Sequence, residues 1–227
     1  MKFQVPEGME EYVRPTEFCD CDCEEIRQKA EELTRDVSSP REAAMKIFYY
    51  VRDEIPFAIG RTDVKASTTL RDKKGYCVTK TNLQIALLRA IGIPAQYHQV
   101  VLHKDVLKGI VPGFIHKLMD EKIWFHPWCE CYLSGQWIAC DLYLDKDTYN
   151  AAVKNGIINK EKMPSIDWDG ETDLKIATPW MLEDVGTHIS YDEVCKKVVK
   201  ETKFPQFLMR VAFNQSNRYT SKLREKV

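Results

Sequence analysis

The chain has 227 residues, of which 44% are hydrophobic and 30% are charged. This composition suits one globular domain over residues 1–227, able to bury roughly 70% of its unfolded surface. Its 33 Lys and Arg residues nearly balance its 34 Asp and Glu residues, so the charge gives no support for nucleic acid or an anionic membrane as a partner.

The first eleven residues lack the apolar core of a signal peptide, and nowhere do about 18 apolar residues run together. We therefore expect a cytoplasmic protein. Eight cysteines in a chain of this length do not suggest a disulfide scaffold, and we expect them to be mostly reduced.

Three of these cysteines, Cys19, Cys21 and Cys23, fall within five residues. One interpretation is a soft-metal site, but structural zinc ligands are usually separated by two to four residues, not by one. The favoured interpretation is the start of a helix, whose positive end is stabilised by the acidic side chains at positions 20, 22, 24 and 25. We therefore predict no metal and no cofactor.

Two helices are predicted in the N-terminal part, residues 23–54. The first covers about 23–34, on the basis of its apolar spacing. The second opens with Ser39 as N-cap, Pro40 at the first helical position and Glu42 three residues after the serine. The stretch 57–70 is interpreted as a connection.

A helix with Cys77 in its first turn is predicted next. Apolar residues recur at helical spacing as far as Ile91, Gly92 follows, and Gly75 suits a tight turn before the thiol. Unpaired N–H groups and the positive dipole at a helix start favour a thiolate, which makes Cys77 a candidate nucleophile. The alternative is a buried cysteine acting as a small hydrophobe.

A strand over 95–102 and two short helical pieces over 103–122, broken near Pro112, are predicted to follow. The second stretch precedes the hairpin directly, so it could form a lid or pocket wall. Ordinary packing across the sheet is the alternative. Two histidines of this region, His98 and His103, are second-choice bases, and His188 is a remote third. His116 is interpreted as a surface residue.

A β-hairpin is predicted from two aromatic and β-branched runs, 123–133 and 137–142, on either side of Ser134 and Gly135. A two-residue turn pairs Leu133 with Gln136. In that register Cys129 lies across from Cys140. With Cys131 these thiols share one sheet face, interpreted as a reduced core patch, with a cross-strand disulfide as the alternative.

The same register places His126 and Asp141 on one face as diagonal neighbours, within reach of each other. A three-residue turn would separate them. A carboxylate beside an imidazole fixes its tautomer for activating a thiol. We therefore assign Cys77 as nucleophile, His126 as general base and Asp141 as orienting group. A hydrogen-bonded strand histidine and a strand-end carboxylate are the alternatives.

The remaining residues, 146–227, are predicted to be a helical extension after a catalytic core at 66–145. A helix is predicted at 146–155, a turn at 167–170 and a capping box at Ser190, which starts a helix burying its valines at positions 194, 198 and 199. The tail from Pro205 is helical in pattern, with apolar residues Phe207, Leu208, Val211 and Ala212.

Several of these motifs occur in one order and resemble the transglutaminase-like superfamily of microbial proteins. They are residues 66–70, Gly75-Tyr76-Cys77, residues 87–95 and the segment 126–137. The resemblance implies an α+β, papain-like core in which the nucleophile helix packs on an antiparallel sheet carrying His and Asp. The family's catalytic residues fall on Cys77, His126 and Asp141. Weaker similarity extends to 167–170 and 184–186.

An oxyanion hole would use the backbone N–H of Cys77 as one donor. The second donor is left open among Tyr49, Tyr50, Gln84 and Trp128.

The predicted function is acyl transfer from an amide through a Cys77 thioester, with water as the favoured acceptor. The substrate would be an amide-containing peptide or small molecule. A transamidase, an enzyme acting on a small acyl or ring amide, and a noncatalytic module with a cysteine-rich metal site are the alternatives.

Overall fold

The computed structural model describes residues 2–201 and 205–225. Within those residues, four α-helices precede the first strand, and α4, which begins at Cys77, is the last of them. The elements are α1 (Glu24–Leu33), α2 (Pro40–Glu54), α3 (Ala66–Asp72), α4 (Cys77–Ala90), β1 (Ala95–His103), α5 (Gly113–Leu118), β2 (Lys122–Leu133), β3 (Gln136–Cys140), α6 (Lys146–Lys154), β4 (Met181–His188), α7 (Asp192–Glu201) and α8 (Gln206–Arg224).

The strands of the described residues form one antiparallel sheet in the order β3-β2-β1-β4. Strand β1 is central and pairs with β2 on one side and β4 on the other. Helix α4 packs on β2 and β1, while α1, α2 and α3 contact its outer side. The fold is therefore the predicted helix-on-sheet arrangement.

Helix α4 is enclosed on all sides, since every residue from 78 to 89 is buried. A helix in this position must satisfy its polar side chains inside the protein. Lys80 Nζ donates to the carbonyl of Arg52 at 3.1 Å, and Asn82 Nδ2 donates to the carbonyl of Phe18 at 2.8 Å. These bonds attach the N-terminal segments to the helix that begins at Cys77.

The predicted N-terminal helices are confirmed, with α2 capped as expected by the Ser39 side chain, which accepts the N–H of Glu42 at 3.2 Å. The connection predicted at 57–70 is wrong in part, because α3 begins at Ala66 and covers its last five residues. Asp20 explains this helix: its carboxylate accepts the N–H of Ser67 at 3.0 Å and the Ser67 hydroxyl at 2.5 Å. Asp20 therefore caps α3 rather than α1.

The prediction of a purely helical extension over 146–227 is wrong in part, because it omits strand β4. This strand pairs with β1 along most of the length of β4. Two register shifts interrupt this pairing, and most residues of β4 are exposed. An exposed, irregular edge strand lacks the alternation of buried and exposed residues that reveals a strand in a sequence. Strand β4 is recognised instead by its pairing with β1 in the structure.

The final helix is found where predicted, but the apolar residues singled out near its start do not face the core. Phe207, Leu208 and Val211 are 66%, 44% and 49% exposed. Thr220 and Leu223 are buried instead, and the Thr220 hydroxyl donates to the carbonyl of Ile110 at 2.9 Å. In α7 the valines are only half-buried, and the buried residues are Asp192 and Cys195.

The cysteines, all within the described part of the chain, are free thiols. Cys129 lies across from Cys140 as predicted, and the Sγ atoms of Cys131 and Cys140 are 3.9 Å apart. Gln84 of α4 donates to Cys140 Sγ at 3.2 Å. The reduced core patch is therefore confirmed, and it lies against α4.

Of the helices that lie within residues 2–201 and 205–225, none combines the length and apolar character needed to cross a membrane.

Candidate active site

Cys77 is the first residue of α4, as predicted from the sequence. Thr79 Oγ1 accepts the N–H of Tyr76 at 3.1 Å, which fixes the chain as it turns into the helix. Gly75 permits this turn, because a Cβ atom there would lie 2.7 Å from Thr79 Oγ1. The N–H groups of the first turn have no partners within the helix and point toward the thiol end of α4.

The thiol of Cys77 lies against the imidazole of His126. A neighbouring contact shows how the two elements are held together: the hydroxyl of Thr81, one turn after Cys77, donates to the carbonyl of Pro127 at 3.2 Å. The His126 ring is 2% exposed, whereas Cys77 is half-buried. Cys77 is therefore partly open to solvent, whereas the ring beside it is shielded from water.

The predicted hairpin register is confirmed. Leu133 pairs with Gln136, so the turn has two residues, and both have positive φ: 52° at Ser134 and 87° at Gly135. These angles are typical of a turn whose twist matches that of the strands. The pairing continues to the end of β3, and Asp141 is the next residue.

This register brings His126 and Asp141 together, with Nε2 of the imidazole 3.5 Å from Oδ2 of the carboxylate. The distance is long for a hydrogen bond, and among the described residues Nε2 has no hydrogen-bond partner. Electrostatic attraction is therefore the main interaction of this buried pair.

A loop that the sequence analysis did not connect with the site holds Asp141 in place. The backbone N–H of Asp141 donates to the carbonyl of Leu174 at 2.9 Å, and its Oδ2 accepts the N–H of Ala177 at 3.2 Å. The Asp141 side chain is 1% exposed. The carboxylate is thus fixed from both sides, by the strand that precedes it and by this loop.

Burial alone would lower the pKa of His126. The Asp141 carboxylate and the Cys77 thiolate outweigh burial and raise the pKa of His126 to about 10. The imidazolium is consequently the favoured form at neutral pH. A protonated imidazole beside a sulfur stabilises the thiolate and also holds a proton that a leaving group can take.

Aromatic rings enclose the imidazole. Tyr143 and Trp128 meet it edge-on, at centroid distances of 6.2 Å and 6.4 Å. The Tyr143 hydroxyl donates to the carbonyl of Val106 at 2.6 Å. The stretch 103–122 does contain two short helical pieces, and its first part packs behind this wall. Its second part carries exposed side chains at Phe114 and Leu118.

The structure separates the four candidates for the second oxyanion donor. Tyr49 donates to the carbonyl of Trp168 at 2.8 Å, Gln84 is bonded to Cys140, and Tyr50 lies beside Lys29. The Nε1 of Trp128 is buried and has no hydrogen-bond partner within the described residues. Of the four, only Trp128 has a donor that is buried beside His126 and not already used.

The other histidines are engaged elsewhere. His98 lies between Glu130 and Asp184, at 2.8 Å and 2.7 Å, and stacks on Trp128. His103 and His116 both contact Asp105, and His188 packs on the ring of Tyr191. These contacts leave His126 as the histidine that lies beside Cys77.

The N-terminal cysteines show features of packing. Cys19 and Cys21 are buried, at 0% and 4% exposure, and Cys23 is the N-cap of α1. Burial raises the pKa of both buried thiols, which disfavours the thiolate that a metal ligand requires. Within residues 2–201 and 205–225 there is no cluster of three or more His, Cys, Asp or Glu residues arranged to hold a metal.

Comparison with solved structures finds matches at low sequence identity. A protein from Cytophaga hutchinsonii, provisionally named a cysteine protease, is 17% identical, with a TM-score of 0.52 over 83% of this chain and 50% of its own. A provisionally named protease from Parabacteroides distasonis is 16% identical, with a TM-score of 0.40 over 60% of this chain and 26% of its own. Red sea bream transglutaminase is 14% identical, with a TM-score of 0.34 over 59% of this chain and 25% of its own.

The chain spans half the length of the Cytophaga protein that it matches. No curated protein matches the sequence significantly. The family profile of the transglutaminase-like superfamily matches residues 27–142, about half of the chain, and that region contains Cys77, His126 and Asp141. On this match and the fold just described, the chain belongs to the transglutaminase-like superfamily.

Proposed function

We propose that this protein is a cysteine-dependent acyl-transfer enzyme that cleaves an amide bond of a peptide or small molecule. The observation that carries the proposal is the buried contact of His126 with Asp141, placed where the thiol of Cys77 meets the same imidazole. Nucleophilic acyl transfer needs a thiol, a base that activates it and a group that orients the base.

The reaction proceeds in two halves. The Cys77 thiolate attacks the amide carbonyl, and the tetrahedral intermediate collapses as His126 gives its proton to the leaving amine. A thioester and a neutral imidazole remain. His126 then takes a proton from water, the resulting hydroxide adds to the thioester carbonyl, and collapse releases the carboxylic acid and the Cys77 thiolate, with the proton back on His126.

The acceptor distinguishes a hydrolase from a transamidase, and we propose water. A glutamine-containing peptide incubated with a fluorescent amine separates the two reactions, because both release ammonia and only the transamidase incorporates the label. We expect ammonia release without incorporation. Stoichiometric incorporation would show that an amine is the preferred acceptor.

Cysteine reactivity tests the proposal without knowledge of the substrate. We expect iodoacetamide to alkylate Cys77 before the other cysteines, because Cys77 is only half-buried and lies beside the imidazolium of His126. Cys23 is an internal control, since it is also half-buried but is the N-cap of α1. Mass spectrometry of peptides quenched at short times gives the rate at each cysteine.

The variant His126→Ala should reduce the rate at Cys77 to that at Cys23. Equal labelling of Cys77 and Cys23 in the unmodified protein would falsify the claim that His126 activates Cys77. Circular dichroism of the variant shows whether it keeps the fold.

A further inference from the structure

Tyr191 carries a buried hydroxyl that forms no hydrogen bond with any residue of the described chain. The side chain is 3% exposed. A buried polar group without a partner has lost its hydrogen bonds with water and gained none in return, so folded proteins rarely keep one without a reason. At an active site, such a group can be reserved for a substrate.

The ring of Tyr191 is fixed beside the nucleophile helix. It stacks on Tyr97 with centroids 5.3 Å apart and an interplanar angle of 15°. The hydroxyl of Tyr97 in turn donates to Asn82 Oδ1 at 2.6 Å. Asn82 is five residues after Cys77, about 7.5 Å along the helix axis. The stack therefore places Tyr191 near the first two turns of α4.

The surroundings of the hydroxyl keep it protonated. Burial raises the pKa of Tyr191 well above its usual value, and the thiolates of Cys195 and Cys77 raise it further. Tyr76, next to the nucleophile, is affected by Cys77, Cys195 and Tyr191 in the same way. Tyr191 is thus a neutral hydroxyl that keeps its proton and can donate it in a hydrogen bond.

Tyr191 and His126 approach α4 from different elements. His126 comes from β2, near the contact of Thr81 with Pro127, whereas Tyr191 follows β4 and lies beside Asn82. Thr81 and Asn82 are successive residues and point about 100° apart around a helix. The imidazole and the hydroxyl therefore approach α4 from different directions.

We propose that the hydroxyl of Tyr191 is the second donor of the oxyanion hole, together with the backbone N–H of Cys77. The assignment rests on the proposed function. As the thiolate adds to a carbonyl, a C–S bond forms and the C=O π electrons move to oxygen. The O–H of Tyr191 donates a hydrogen bond to that oxyanion and keeps its proton when the intermediate collapses. Tyr191 lies outside the matched family region 27–142.

Two reactions of the same sulfur isolate this role. Iodoacetamide alkylates a thiolate by displacing iodide and forms no oxyanion. p-Nitrophenyl acetate acylates it through a tetrahedral oxyanion, with release of p-nitrophenolate and formation of an S-acetyl thioester. In full-length protein we expect Tyr191→Phe to slow the burst of p-nitrophenolate by about tenfold or more. Alkylation of Cys77 should keep its rate within about twofold, because this reaction does not use the donor.

Tyr97→Phe is the matched control, since it removes the other hydroxyl of the same stack. It breaks the bond to Asn82, so we expect its Tm to fall while the ratio of acylation to alkylation stays unchanged. Tyr191→Phe should lower the ratio of acylation to alkylation and leave the Tm unchanged, because loss of an unpaired buried hydroxyl does not destabilise the fold.

Equal slowing of both reactions in Tyr191→Phe would overturn the assignment, since it would indicate a structural role. The assignment would also be overturned if Trp128→Phe lowered the ratio of acylation to alkylation and Tyr191→Phe did not. That result would identify the indole as the donor. If Cys77 of the unmodified protein reacts with neither reagent, the proposed function itself fails, and this result is distinct from the other two.

Discussion

Asp141 is the residue on which the electrostatics of the site depend. Its carboxylate contacts His126 without being exposed to water, and the N–H of Ala177 holds it in place. A charge in this position acts at low dielectric, so its effect on the imidazole is larger than that of a surface charge. The consequence is a histidine that stays protonated where a free histidine would be neutral.

Asp141→Asn removes the charge and keeps the shape. We expect the pKa of His126 to fall from about 10 toward the free value of about 6.5. Alkylation of Cys77 at pH 7.5 should then slow by up to about tenfold, because at one pH unit above its pKa only about a tenth of an imidazole is protonated. Asp184→Asn is the control, since Asp184 pairs with His98 and its side chain is 54% exposed. An unchanged rate in Asp141→Asn would contradict this role.

The same pair makes stability depend on pH. The folded pKa of His126 is raised above the unfolded value of about 6.5. Its contribution is therefore fully present below about pH 6.5 and is lost as the pH rises toward 10. The urea concentration at the midpoint of unfolding, measured with reductant, should fall between about pH 6.5 and 10. This fall should be steeper for the unmodified chain than for Asp141→Asn.

At the scale of residues, the sequence was informative where a regular pattern relates one residue to another. Side chains alternate along a strand and the turn had two residues, so His126 and Asp141 could be placed together. Leu174 and Ala177 could not be found in this way. They belong to an irregular loop, and no periodicity connects that loop with the end of β3.

Among the elements, α4 depends most on its first turn. Thr79 accepts the N–H of Tyr76, and there is no space for a side chain at Gly75. The cysteine is positioned by this turn, so a small shift of the backbone changes the direction of the Sγ atom.

Gly75→Ala should destabilise the protein by about 1–3 kcal/mol, because the added methyl displaces Thr79 in a closely packed region. Alkylation of Cys77 should slow as the helix start moves. Gly60→Ala is the matched control, since a Cβ atom there has no neighbour within 4 Å among the described residues. Urea unfolding and the alkylation rate measure the two effects. Comparable results for the two variants would show that the turn tolerates a side chain.

Elements with their own pattern were predicted well, and elements defined by a distant partner were not. Helix α2 has a local N-cap and an apolar stripe. Helix α3 has only seven residues and is capped by Asp20, which is 47 residues away. Strand β4 is defined by β1 rather than by its own sequence. The exposed face of α8 shows the same limit, because spacing reveals an apolar stripe and not what covers it.

At the scale of the molecule, the part after residue 142 returns to the start of the chain. The Asp192 carboxylate accepts the Thr16 hydroxyl at 3.0 Å and the N–H groups of Glu17 at 2.9 Å and Phe18 at 3.3 Å. Asn217 also bonds the backbone of Ile59. The C-terminal segment is therefore tied to the chain on both sides of α1 and α2.

Asp192→Ala should lower the free energy of unfolding by about 2–3 kcal/mol, because it leaves two backbone N–H groups and a hydroxyl without their acceptor. The neighbouring Glu193→Ala is the control, since the Glu193 side chain is 87% exposed and pairs with Lys196 at the surface. Urea denaturation of both variants measures the difference. Equal stability would mean that water replaces these bonds.

The overall architecture could be predicted because the resemblance covers the central helix and the hairpin. The resemblance does not cover the C-terminal elements, so their positions around that core could not be predicted. Tyr191 was missed for the same reason. In the sequence it is one residue of a capping box, and its position beside α4 depends on the pairing of β4 with β1 and on the stack with Tyr97.

Six of the eight thiols are buried, and all six have pKa values above the usual one, mainly because burial disfavours the thiolate; at Cys131 the hydrogen bond with Cys140 is the larger cause. Burial in the fold therefore slows the oxidation of these six thiols. Heating removes that protection, and the released thiols return to a pKa of about 8.5, where air oxidation crosslinks them. Thermal denaturation should accordingly be reversible under reductant and become irreversible in its absence.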